Sequence, residues 1–171
     1  MNKKFVKINL PEYGLEVEMG ICTFFGHRDC PESVLPALRK AVERAILQEG
    51  IDTFYVGREG AFDALVAKAL LEMAKKYPHI RFFVVLAYRS RAPLEWELQS
   101  RTILADGVEN APSRFAILRR NAWMLEHADT VIAYVTRSFG GAADFLQKAG
   151  KHGKKIINIA DKATQKTSRI C

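Results

Sequence analysis

The stretch DTVIAYVTRSFGGAADFLQKAGKHGKKIINI, residues 129–159, contains one complete structural unit of the chain. DTVIAYV (129–135) is a short, almost wholly apolar run, as a parallel strand covered on both faces requires. Two glycines, Gly140 and Gly141, then open a helix over GAADFLQKAGKHG (141–153), and a lysine-flanked turn leads into a second apolar strand, KKIINI (154–159). A strand, a glycine pair and a helix start are how a chain builds a phosphate cradle, because the first N–H groups of a helix lack partners and carry the positive end of its dipole. They are also how many α/β proteins turn a corner.

The same unit recurs upstream. ICTFF (21–25) ends in Gly26, and DCPESV follows with Asp29 and Glu32 at capping-box spacing and Pro31 in the first turn. Leu35, Leu38, Val42, Ala45 and Ile46 form a stripe at helical spacing that Gly50 ends. IDTFYVG (51–57) is the next strand, DALVAKALLEMAKKY (63–77) the next helix, stopped by Pro78, and IRFFVVLAY (80–88) a third buried strand. Residues 89–113 break the rhythm, with RTIL (101–104) readable as a short strand, before RFAILRRNAWMLEHA (114–128) returns to helix. This alternation predicts an α/β fold, a single doubly wound, mainly parallel Rossmann-like sheet with helices on both faces. Ahead of it, FVKINLPEYGLEVEM (5–19) alternates on both sides of PEYG and reads as a β-hairpin. The expected organisation is a hairpin extension over 1–19, the α/β domain over 20–160 and a basic tail over 161–171.

Composition narrows the function classes. The chain of 171 residues is about half apolar and carries a formal charge of +7, which suits an anionic ligand or nucleic acid. Part of that excess sits between Lys148 and Arg169, where a solubilising tail is the plainer reading. No apolar run approaches the roughly 20 residues needed to span a bilayer, and the N-terminus lacks a signal-peptide pattern, so a cytoplasmic location is expected. Three cysteines without C-x-x-C spacing, and four histidines without ligand spacing, predict neither a disulfide framework nor a metal site.

Ligands of doubly wound sheets bind beyond the carboxyl ends of the strands, where the strand order reverses. The loops predicted to face that edge are 26–30, 57–63, 88–113 and 136–141. The first offers Gly26, His27 and Arg28, the last of these a planar fork suited to phosphate, or else a partner for Asp29. In GREGAFD, Gly57 and Gly60 flank a turn, and Asp63 is either a plain helix cap or an acceptor for a ribose hydroxyl. Arg120 and Asn121 lie on the helix at 114–128, whose Trp123 and Met124 read as core. Ser138, Gly140 and Gly141 complete the set, with Asp144 expected to point away from an anion. Neither a G-x-G-x-x-G fingerprint nor a G-x-x-x-x-G-K-[ST] loop occurs, so no dinucleotide or P-loop cofactor is expected.

Together these loops resemble the SLOG superfamily of Rossmann-like domains, and within it the YpsA-like bacterial proteins of unknown function (the DUF1273 group). The resemblance is carried by FFGHR, GREGAFD, NAWMLEHADTVIA and GGAADFLQKAGKHGKKIINI, in that order over about residues 20–160. The superfamily also includes phosphoribohydrolases with an R-K-x-x-M … P-G-G-x-G-T-x-x-E pattern. Arg120 falls on their functional arginine and Met124 is in register, but Asn121 replaces the lysine, no proline precedes the glycines, and Ala142 replaces the threonine. Phe145 stands at the glutamate position, with Asp144 one residue early, about 100° away around a helix.

The resemblance therefore implies a domain that binds a nucleotide-derived or other phosphate-bearing small molecule. As an alternative it implies a nucleoside-monophosphate phosphoribohydrolase using Arg120 with Asp63 or Asp144. Because the superfamily includes the DNA-processing protein of natural transformation, a nucleic-acid partner is a third expectation. A homodimer is expected by the same analogy, with the hairpin and PLEWEL (93–98) as candidate surfaces.

Overall fold

The computed structural model describes residues 19–88 and 101–160. The predicted hairpin, the PLEWEL segment and the basic tail lie outside the described residues.

Six strands form one parallel sheet: β1 (Gly20–Gly26), β2 (Ile51–Val56), β3 (Arg81–Leu86), β4 (Arg101–Leu104), β5 (Thr130–Tyr134) and β6 (Lys155–Asn158). Their spatial order is β4-β3-β2-β1-β5-β6, every neighbouring pair parallel. The four helices are α1 (Leu35–Glu49), α2 (Ala61–Lys76), α3 (Ser113–His127) and α4 (Gly141–Lys151). The chain steps outward from β1 to β4, then returns to the far side of β1 to lay down β5 and β6. Because crossovers keep one hand, reversing the direction of travel moves the helices to the opposite face.

Alternation along the strands shows both faces being filled. Cys22, Phe24, Phe82, Val84 and Ile132 join one core with α1 and α2. Phe25, Val85, Val131 and Ala133 join a second core with Met124 and Leu125 of α3 and Phe145 and Ala149 of α4. This double burial is why β1, β3 and β5 read as nearly continuous apolar runs. No described helix is long and apolar enough to cross a membrane.

Helix ends depart from expectation in two places. The Asp29–Glu32 capping box does not form: Pro31 is extended (φ −75°, ψ 149°), Glu32–Val34 make a single 3-10 turn, and α1 begins only at Leu35 with Pro36 in its first turn. Asp29 instead pairs with Arg137 across the sheet edge. Asp63 is not the cap of α2 either; Gly60 is, with φ at 107°, and Asp63 stands inside the first turn. The end of α1 follows expectation, with Gly50 in the left-handed conformation (φ 64°).

Candidate functional site

The strand order reverses between β1 and β5, so the loops after these two strands part on either side of a crevice. A cleft of about 390 Å³ opens there. Its walls bring together Gly26, His27 and Arg28 from the first loop, Asp63 from α2, Arg120 and Asn121 from α3, and Gly140 and Gly141 at the start of α4. These residues span more than 100 positions of sequence, and the first and last loops meet because β5 returns to pair with β1.

His27 fastens the two lips. Its Nε2 accepts the backbone N–H of Thr136 at 2.9 Å and of Arg137 at 3.3 Å. An imidazole nitrogen that accepts must be unprotonated. Burial, reinforced by the positive charge of Arg137, holds the ring below its ordinary value of 6.5. Beside it, Arg137 grips Asp29 through two hydrogen bonds of 2.7 and 3.3 Å. Arg28 is exposed and lines the cleft, where its charge favours the ionised form of Asp63.

Arg120 forms the floor. It is 2% exposed, donates Nη1 to Val85 O at 3.1 Å, and donates Nε to Asn121 Oδ1 at 2.8 Å. Asp63 comes in from the other side, its Oδ2 accepting the Glu59 N–H at 2.8 Å. Enclosure pushes the Asp63 carboxyl up from the usual carboxylate range, and the charge of Arg120 opposes that rise. Burial in turn pulls Arg120 down, opposed by Asp63.

The glycines of the loops have different physical reasons. At Gly26 a Cβ would strike the ring of Phe62, so the space the sequence suggested for a ligand is filled by α2. At Gly57 a Cβ would stand 2.5 Å from Asp63 Oδ2 and 2.7 Å from Arg120 Nη1; this glycine makes room for the buried charges and does not itself line the cleft. Gly60 and Gly140 have positive φ, 107° and 93°, which side chains rarely adopt. Gly141 has neither reason: its φ is ordinary, and a Cβ there would meet nothing within 4 Å.

The two glycine-led helix starts also differ. At α2 the chain uses its own donors, Ala61 N–H to Arg28 O at 2.9 Å and Glu59 N–H to Asp63. At α4 no side chain caps the helix, and Gly140, Gly141 and Ala142 line the cleft. Ser138 and Asp144 are exposed and lie on a separate depression beside Arg137, outside the cleft. Phe145 is 1% exposed and stacks on Phe25 with ring centroids 5.0 Å apart, so the inward face of α4 is apolar where the hydrolases carry glutamate. Met124 is core, as expected, and the half-buried Trp123 packs against the same core and on Tyr55, its other side stacked on His127.

Several cleft residues escaped the sequence reading, among them the charged Glu59 and Arg137 and the exposed Phe139. So did Asn158, whose amide bonds both backbone groups of Val135 at 3.1 and 3.0 Å and thereby holds the end of β5 in place.

No protein-family model matches the chain, and no curated protein matches it. Among solved structures the fold is similar to that of DNA processing protein A (DprA) from Streptococcus pneumoniae, with a TM-score of 0.63 and 14% sequence identity. The match covers 81% of this chain and 49% of that one, so this chain corresponds to about half of that protein's length. The likeness is one of fold: a Rossmann-like α/β sheet.

Proposed function

We infer that the chain is a binding module for a nucleotide-derived, phosphate-bearing ligand, a SLOG-type domain nearest the YpsA-like branch. The observation that carries this reading is the start of α4. An uncapped helix N-terminus opens on the cleft at the reversal of the sheet, and its first residue, Gly141, is a glycine that neither backbone nor packing demands. Alanine there would meet no obstacle and would suit the helix at least as well. A bare backbone at that point serves an anion that must approach the N–H groups closely. Arg28 supplies an exposed countercharge in the cleft, and Arg120 with Asn121 a fixed polar floor. His27 acts as a brace for the two lips, and Gly57 and Gly60 as supports, so direct ligand contacts fall to Arg28, Arg120, Asn121, Gly140 and Gly141.

The hydrolase reading is weakened by Phe145, whose ring is core, and by Asp144, which lies outside the cleft. Asp63 is the one carboxylate of the expected catalytic set that lines it. Calorimetry against a panel of nucleoside mono- and diphosphates tests the proposal, with the mixture analysed afterwards for free base. The expected outcome is saturable binding, weakened about ten-fold or more by Arg28→Ala, with the nucleotide recovered intact. No binding across the panel refutes the module, and release of base that Arg120→Ala abolishes replaces it with the enzyme. Binding of single-stranded DNA that falls steeply with salt, without mononucleotide binding, replaces it with a nucleic-acid protein.

A further inference from the structure

The cleft is lined by three phenylalanines, and two of them, Phe24 and Phe25, are 1% and 4% exposed and belong to the core. Phe139 is different. It is 70% exposed, it lines the cleft, and it immediately precedes Gly140 at the open start of α4. A lone exposed aromatic is ordinary on a protein surface and by itself says nothing. This one has a partner and a position. The Arg137 guanidinium carbon lies 6.0 Å from its ring centroid, within reach of a cation–π contact. Arg137 in turn is gripped by Asp29 at 2.7 and 3.3 Å, and its backbone N–H is held by His27. The ring therefore leans on a cation anchored to both lips of the cleft, with most of its surface uncovered.

We propose that Phe139 is the stacking platform for the base of the ligand, so that this site selects nucleotides over sugar phosphates lacking a base. The proposal rests on the cleft being a phosphate site, as inferred above, and adds what the remainder of the ligand must be. A phosphate against the N–H groups of Gly140 and Gly141 leaves its attached group within reach of the residue just before them. A planar ring system is the chemistry that an exposed phenyl face recognises, and every base offers such a face. A sugar phosphate without a base gains nothing from it. The cleft offers no comparable exposed aromatic among its other described residues.

Calorimetry with adenosine, guanosine, cytidine and uridine 5′-monophosphates, set against ribose 5-phosphate, decides the matter. The wild type is expected to bind at least one nucleotide about ten-fold more tightly than ribose 5-phosphate, which is the size of one base–aromatic stack. Phe139→Ala should erase that preference while leaving the affinity for ribose 5-phosphate unchanged. Phe139→Trp should retain it, and its added tryptophan emission should be quenched by nucleotide and not by ribose 5-phosphate. If ribose 5-phosphate binds as tightly as the nucleotides, or if Phe139→Ala weakens both alike, the stacking role is overturned and the phosphate site stands. If Phe139→Ala dissociates an oligomer without altering the preference, Phe139 belongs to a protein interface and the proposal is likewise overturned. If the wild type binds none of these compounds, the stacking role and the phosphate site fall together.

Discussion

Replacing Gly57 by alanine places a methyl group at the point where Asp63 and Arg120 converge. The added carbon would stand 2.5 Å from Asp63 Oδ2, 2.7 Å from Arg120 Nη1 and 3.0 Å from its Cζ, where ordinary contacts begin at 3.4 Å. Asp63 Oδ2 is tied to the Glu59 N–H at 2.8 Å and Arg120 Nη1 to Val85 O at 3.1 Å, so neither group can retreat without losing its partner. Forcing a methyl group into such a site costs about 1–3 kcal/mol, and a buried donor left without its acceptor adds a similar amount. The two overlap, because moving the guanidinium relieves the clash; we expect about 2–4 kcal/mol in total. For a chain of this size that lowers Tm by roughly 5–12 °C. Differential scanning calorimetry at pH 7 measures it, with Gly150→Ala as the matched control. A Cβ at Gly150 of α4 meets only Ile156 Cδ1 at 3.8 Å, so that alanine should be neutral or stabilising by up to about 1 kcal/mol. A Gly57→Ala protein that melts within 2 °C of wild type would refute the convergence of charges beneath the cleft.

Gly141→Ala should leave Tm unchanged or slightly raised, since nothing in the protein lies within 4 Å of the new carbon, yet weaken phosphate-ligand binding at least ten-fold by calorimetry. Stability should also fall with acid through His27: its folded-state value lies below the 6.5 of the unfolded chain, so the unfolded state binds the extra proton first. That contribution is fully present above about pH 7 and is lost as pH falls through 6.5 toward the folded value, with a slope of at most about 1.4 kcal/mol per pH unit. Urea titrations between pH 7.5 and 5 should show it, and His27→Gln, which keeps an acceptor but cannot titrate, should flatten the difference. Phe145→Glu, which restores the glutamate of the hydrolytic pattern, should destabilise the protein by about 3–5 kcal/mol and yield no hydrolase, because the new carboxylate lands against Phe25 in the core; chemical denaturation and a base-release assay read the two halves.

The sheet could be read from the chain because burial on both faces leaves a periodicity-free apolar run, and β1, β3 and β5 each have one, as does the second half of β2. Even RTIL, half exposed at the edge, proved a strand, paired in parallel to β3. Helix starts were harder to read, since capping depends on where side chains find partners across space. Asp29 has the spacing of a cap yet goes to Arg137, 108 residues away. The loops that line the cleft were foreseeable from topology, but not the division of labour among their glycines. Gly26 and Gly57 are fixed by Phe62 and by the Asp63–Arg120 approach, which no local pattern encodes. Phe139 was passed over because one aromatic in a polar loop has no periodicity to mark it.

The amide of Asn158 acts as one more rung of the ladder, donating to and accepting from Val135 just before the loop that carries Phe139, Gly140 and Gly141. That makes the cleft a late event in the life of the molecule. One of its lips hangs from β1, among the first described residues to leave the ribosome, and the other from the end of β5, held by β1 and His27 on one side and by β6, the last described strand, on the other. A nascent chain extending no further than α4 already contains every residue that lines the cleft, but its second lip has only the ties to β1 and lacks those of β6 and Asn158. Binding of a ligand in the cleft should therefore tighten during synthesis when Asn158 emerges, and such a ligand would stabilise molecules that have laid down β6 more than those that have not.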